Sequence, residues 1–118
     1  MFVSKGHRYG GTIYKKENDH MEIRKIREEN KLTLELVGRL DTMTAPDLEA
    51  VTKSELGGVK ELVLEMKELE YLSSAGLRVL LSTLKVMNKQ SSMVVRDVCE
   101  TIMEVFEVTG FSDIMTIE

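Results

Sequence analysis

Two adjacent hydroxyls, Ser73 and Ser74, stand in the segment Tyr71-Leu72-Ser73-Ser74-Ala75-Gly76-Leu77, where an apolar stretch hands over to a helical pattern. Ser74 followed two residues on by Gly76 is the second half of a G-x-S-x-G elbow, which would present a nucleophile at a strand-to-helix turn. The first half is missing, because Leu72 stands where the other glycine belongs. A serine nucleophile also needs a base held beside it. The two histidines, His7 and His20, lie outside the periodic part of the chain and supply neither that base nor a metal site. Gly10-Gly11 and Gly57-Gly58 lack the lysine-serine continuation of a phosphate-cradling loop. Local sequence thus reads Ser73 first as a helix N-cap, with Ala75 and Gly76 allowing close packing. Cys99 reads as a small packing residue.

The elements that must hold this segment follow from periodicity. Met21, Ile23 and Ile26, a turn at Glu28-Glu29-Asn30, and then Leu32, Leu34 and Leu36 alternating with Thr33 and Glu35 predict a two-stranded hairpin. Thr44-Ala45-Pro46-Asp47 offers a capping hydroxyl, a first-turn proline and a capping-box acid for a helix that carries Leu48, Val51 and Leu56 and ends at Gly57-Gly58. The unbroken Leu62-Val63-Leu64 predicts a central strand at about 60–66. Leu77, Leu80, Leu81, Leu84 and Met87 draw the apolar stripe of a second helix. Met93-Val94-Val95 reads as another buried strand. Asp97 then caps a third helix with Val98, Ile102, Val105 and Phe106 on one face, Gly110 stops it, and Ile114 to Ile117 form a last strand. The order β-β-α-β-α-β-α-β implies one α/β layer structure with right-handed crossovers between parallel neighbours.

Composition narrows the function. The chain has 118 residues, 42% hydrophobic and 31% charged, which is enough for one core. A single cysteine, no secretory pattern and no long apolar run point to a cytoplasmic domain with no membrane insertion. Of the net charge of −4, residues 1–20 contribute +2 through Lys5, Arg8, Lys15 and Lys16 against Glu17 and Asp19. The acidic remainder lacks the electrostatic footprint of nucleic-acid binding. Residues 1–20 show no sustained period, and His20-Met21 matches a common cloning junction, so they read as a flexible arm or an expression leader ahead of a domain at 21–118.

One succession is more specific. Val37-Gly38-Arg39-Leu40-Asp41, then Thr44-Ala45-Pro46, then Leu62-Val63-Leu64, then Tyr71-Leu72-Ser73-Ser74-Ala75-Gly76-Leu77 resembles the STAS domain of bacterial anti-sigma factor antagonists across nearly all of 21–118. The resemblance implies a small mixed β-sheet with helices packed against it and a non-enzymatic binding module without a cofactor. It implies that an anti-sigma factor serine/threonine kinase phosphorylates the serine at the start of the helix after the central strand, which falls on Ser74, with Ser73 as runner-up. Ser73 stands where the family often has aspartate, and Ala75 where it often has a second hydroxyl. Asp41, Thr44, Ser73, Ser74, Gly76 and Arg78 are then the expected partner surface of a monomer reset by a phosphatase. The alternative within the same resemblance is a cytoplasmic STAS subunit of an anion or lipid transport system.

Overall fold

The computed structural model describes residues 21–118 throughout and, of the first twenty residues, the strand backbones Phe2–Lys5 (β1) and Thr12–Lys16 (β2). The alternating leucines form the predicted hairpin of β3, Met21–Glu28, and β4, Lys31–Leu40, turning through Glu29 at φ 55°. Then follow α1 (Ala45–Glu55), β5 (Glu61–Glu65), β6 (Leu69–Leu72), α2 (Ser74–Gln90), β7 (Ser92–Arg96), α3 (Glu100–Thr109), a 3-10 turn at Phe111–Asp113 and β8 (Thr116–Ile117). The sheet runs β1-β2-β3-β4-β5-β7-β8, antiparallel up to β4 and parallel beyond it. The remainder of the expected arm lies outside the described residues.

The mixed α/β fold is the expected one, with three added strands, a last strand shortened from 114–117 to Thr116–Ile117, and two corrections at helix starts. The added strands are β1 and β2, within the residues read as an arm, and β6, none of which the periodicity predicts. β4 has ten residues and β5 only five, so Lys31 to Glu35 pair with β5 while Gly38, Arg39 and Leu40 remain to pair with β6. The register shifts between Gly38 and Arg39, where Gly38 takes φ 102°, a region open to glycine. The first correction is that Asp97 does not cap α3. It sits at φ 56° directly after β7, and Cys99 is the N-cap residue, without a side-chain cap hydrogen bond. The second is that Thr44 takes the N-cap position of α1 with helical backbone angles and forms no side-chain cap, so the capping box is not made.

Leu62 and Leu64 point to the face that the helices cover, and a single core joins them to Leu34, Leu48, Leu80 and Phe106. All three helices contribute to that core. Val63, buried equally well, lies outside it on the opposite face. Its burial follows from β5 being central, flanked by β4 and β7. Two long side chains close the bottom of the helical layer. The Gln90 amide donates to the carbonyls of Leu56 (2.9 Å) and Val59 (2.8 Å), and the Arg27 guanidinium donates to that of Glu55 (3.0 Å) at the C-terminus of α1.

On the face away from the helices, the register aligns Arg24, Glu35, Glu65 and Arg96 in one row across four strands. A cleft of about 440 Å³ there is lined by Arg24, Glu35, Glu65, Lys67 and Asp97. Burial raises the Glu65 carboxyl, and the facing Asp97 carboxylate adds to it against the opposing Lys67 N–H and Arg96, pushing Glu65 from 4.5 to about 7. Between those two values the folded protein keeps a proton that the unfolded chain has released. Its stability therefore falls as the pH rises across the window and levels off above it. Glu65→Gln removes this dependence. The variant is expected to be more stable than wild type at pH 8, with the gap in thermal midpoint shrinking toward pH 5; a constant gap would refute the assignment.

Candidate functional site

The ends of β4 and β6 lie side by side, with Arg39 opposite Tyr71 and Leu40 opposite Leu72. The Ser73 N–H continues this pairing by donating to the Leu40 carbonyl at 2.9 Å. The loop after β4 and the first turn of α2 thus become neighbours. They hold five of the six expected surface residues together, and Arg78 follows one helical turn later.

The two serines are not equivalent. Ser73 is extended at φ −95°, ψ 173°, and its hydroxyl accepts from the Gly76 N–H at 3.3 Å, the N-cap that local sequence predicts. It is half-buried and committed to the helix. Ser74 is the first residue of α2, is exposed, and its side chain has no hydrogen-bond partner among the described residues. Gly76 is buried, and a Cβ built on it would lie 2.7 Å from Leu40 Cγ, 2.8 Å from Leu72 Cδ1 and 3.0 Å from the Leu40 oxygen. Glycine is needed here for approach, since the first turn of α2 rests directly on the strand ends.

Asp41 and Thr44 form the other half. The Thr44 hydroxyl, almost wholly buried, donates to the Arg39 carbonyl at 2.8 Å and accepts from the Asp41 N–H at 2.9 Å. Asp41 accepts from the Met43 N–H at 2.9 Å and the Thr44 N–H at 3.2 Å, an arrangement that closes the turn on itself. Burial alone would raise the Asp41 carboxyl. The Thr44 and Met43 amides, the Thr44 hydroxyl and the Arg39 charge outweigh it and hold Asp41 below its ordinary value. Asp41 is thus an anion serving the loop from within.

Sequence reasoning missed what surrounds this loop. The Arg39 guanidinium lies 4.2 Å from the Tyr71 ring centroid and 3.6 Å from an Asp41 oxygen. Met43 is 74% exposed and Tyr71 42%, so two large apolar groups face solvent around the site. The Arg39-x-Asp41 spacing was visible in sequence, but Tyr71 could be joined to it only by the unpredicted β6. Beside the site, a cleft of about 240 Å³ between α1 and α2 is lined by Thr42, Pro46, Ala75, Arg78 and Ser82. The buried Thr44 hydroxyl also lies 3.3 Å from Asp41 Oδ1, and among the described residues no cluster of potential metal ligands occurs. The rim thus presents an exposed hydroxyl, that of Ser74, with apolar and charged groups around it.

Comparison with known proteins agrees with this fold. The family model for the STAS domain matches residues 21–118. The anti-sigma-B factor antagonist of Bacillus subtilis (strain 168) is 32% identical over 92 residues, covering 75% of this chain and 83% of that protein. Among solved structures, an anti-sigma factor antagonist from Mycobacterium paratuberculosis matches with a TM-score of 0.75 at 20% identity, over 82% of this chain and 84% of that one. The Bacillus cell fate determinant SpoIIAA in its phosphorylated form matches with a TM-score of 0.65 at 16% identity, over 83% and 90%. The chain belongs to the STAS domain family.

Two substitutions test the construction of the rim. Thr44→Val keeps the shape but leaves the Arg39 carbonyl and the Asp41 N–H unpaired, which is expected to cost roughly 1–3 kcal/mol in denaturant unfolding and to speed hydrogen exchange at Asp41. In Gly76→Ala the overpacking penalty of ~1–3 kcal/mol exceeds the helix preference for alanine of up to ~1 kcal/mol. A net loss of roughly 1–2 kcal/mol is expected, because two side-chain carbons must shift and the third close atom is backbone. Unchanged stability in either variant would mean that the loop or the helix can move freely.

Proposed function

We propose that this chain is an anti-sigma factor antagonist switched by phosphorylation of Ser74. The observation that carries the reading is the division of labour between the serines: Ser73 is consumed by capping α2, while Ser74 is exposed and uncommitted on the same turn. In its unmodified form the domain binds an anti-sigma factor serine/threonine kinase through the rim of Asp41, Thr44 and the start of α2, and so frees a sigma factor in the cytoplasm. Phosphorylation releases the kinase, and a phosphatase resets the domain. The relative named an anti-sigma-B factor antagonist and the neighbour solved in a phosphorylated form support this reading.

The physics allows a modification that changes binding without unfolding. A phosphate on the first residue of a helix faces the positive end of the dipole and unpaired N–H groups, worth ~0.3–1 kcal/mol at an exposed position. The domain therefore tolerates the charge. A partner that has to desolvate against a near-dianion receives no such offset, and mismatching a buried polar contact costs ~2–5 kcal/mol in binding. Ser74→Ala is expected to fold normally, resist labelling by the kinase and stay in the binding form. Phosphorylation is expected to weaken binding at least roughly tenfold, with Ser74→Asp giving part of that effect and circular dichroism unchanged. Labelling that survives Ser74→Ala and disappears in Ser73→Ala would move the site to Ser73, and equal affinities of the two forms would remove the switch.

A further inference from the structure

Two arginines stand close to the switch, and the fold treats them differently. Arg39 is engaged, stacked on Tyr71 and paired with Asp41. Arg78 is exposed on α2 and has no ion pair or hydrogen bond among the described residues. It follows Ser74 by four positions in a continuous helix, so the two side chains are neighbours on one exposed strip, with Cβ atoms about 5–6 Å apart. Arg78 also borders the cleft whose far wall is Thr42 and Pro46. An uncommitted guanidinium is thus held one turn from the hydroxyl that the preceding reading modifies.

We propose that Arg78 is the charge partner of phosphorylated Ser74, and that their pairing withdraws from the partner surface a cation which the unmodified domain presents. This rests on the reading of Ser74 as the modified residue. A planar guanidinium can meet two phosphate oxygens at once, an arrangement that lysine does not reproduce. Modification then changes the surface twice. It adds a dianion, and it turns Arg78 from an outward donor into an internal counterion. The engaged Arg39 keeps its place in both forms, so the loop of Asp41 and Thr44 remains as it is. Arg78 is in this sense a positioning and specificity residue of the switch.

The test installs phosphoserine at position 74 during translation, so that it does not depend on any kinase. In phosphorus NMR titrations, the second phosphate ionisation, ordinarily near about pH 6, is expected to lie about 0.3 of a pH unit lower in the wild-type background than in Arg78→Gln. Arg78→Lys is expected to recover part of the difference, and about 1 M salt to abolish it. Identical titrations in all three backgrounds overturn the pairing, whether or not a kinase uses Ser74. The second measurement takes the anti-sigma kinase that labels Ser74 as the probe. Arg78→Gln is expected to weaken binding of the unmodified chain severalfold and to leave the residual affinity of the phosphorylated chain unchanged; equal weakening of both forms overturns the withdrawal of the cation. Labelling of Ser73 in place of Ser74 would defeat the preceding reading while leaving the titration result standing, so the two failures are distinguishable.

Discussion

The pairing of the last three residues of β4 with β6 is the constraint on which the site depends. β4 outruns β5, and the shift after Gly38 re-aims its end so that a second parallel neighbour can be taken on. That neighbour delivers Ser73 to the Leu40 carbonyl and starts α2 against the strand ends. The absent side chain of Gly76 lets the helix come that close. A longer β5 or a bulkier residue at position 76 would separate the two halves of the rim while leaving the rest of the sheet able to form.

The sheet has two chemically different faces. One is sealed by three helices over a single apolar core. The other carries the aligned charges of Arg24, Glu35, Glu65 and Arg96, with two carboxyl groups in the middle of the row, of which Glu65 is raised by burial and by the facing Asp97. The response of the fold to pH and the response to phosphate proposed for the rim thus lie in different places and use different chemistry.

A well-bonded rim would give the proposed modification of Ser74 its leverage. Thr44 ties strand to loop with two hydrogen bonds from a buried hydroxyl, and Asp41 closes the turn from inside. A loop so well satisfied has no cheap alternative conformation with which to absorb an added charge. On the proposed reading, the cost of the phosphate falls on whatever binds there. The side chains free to respond, Ser74 and Arg78, both lie on the exposed strip of α2.

Local pattern determined most of the elements in this protein. Alternating leucines, the Leu62 to Leu64 run, the stripe from Leu77 to Met87 and the glycine at 110 each encode their own segment, because strand and helix periods and left-handed caps are short-range properties. The Ser73 cap was legible for the same reason. Tertiary structure decided the rest. Whether Leu69 to Leu72 extend a sheet depends on the spare length of another strand thirty residues earlier. The Thr44 hydroxyl bonds to Arg39 and Asp41 because β4 ends beside it, although its sequence context spells a capping box equally well. Asp97 lost its capping role because β7 leaves it in a left-handed conformation before the helix begins. The meeting of Arg39 with Tyr71 required long-range packing, since it is not a property of any stretch of chain taken alone.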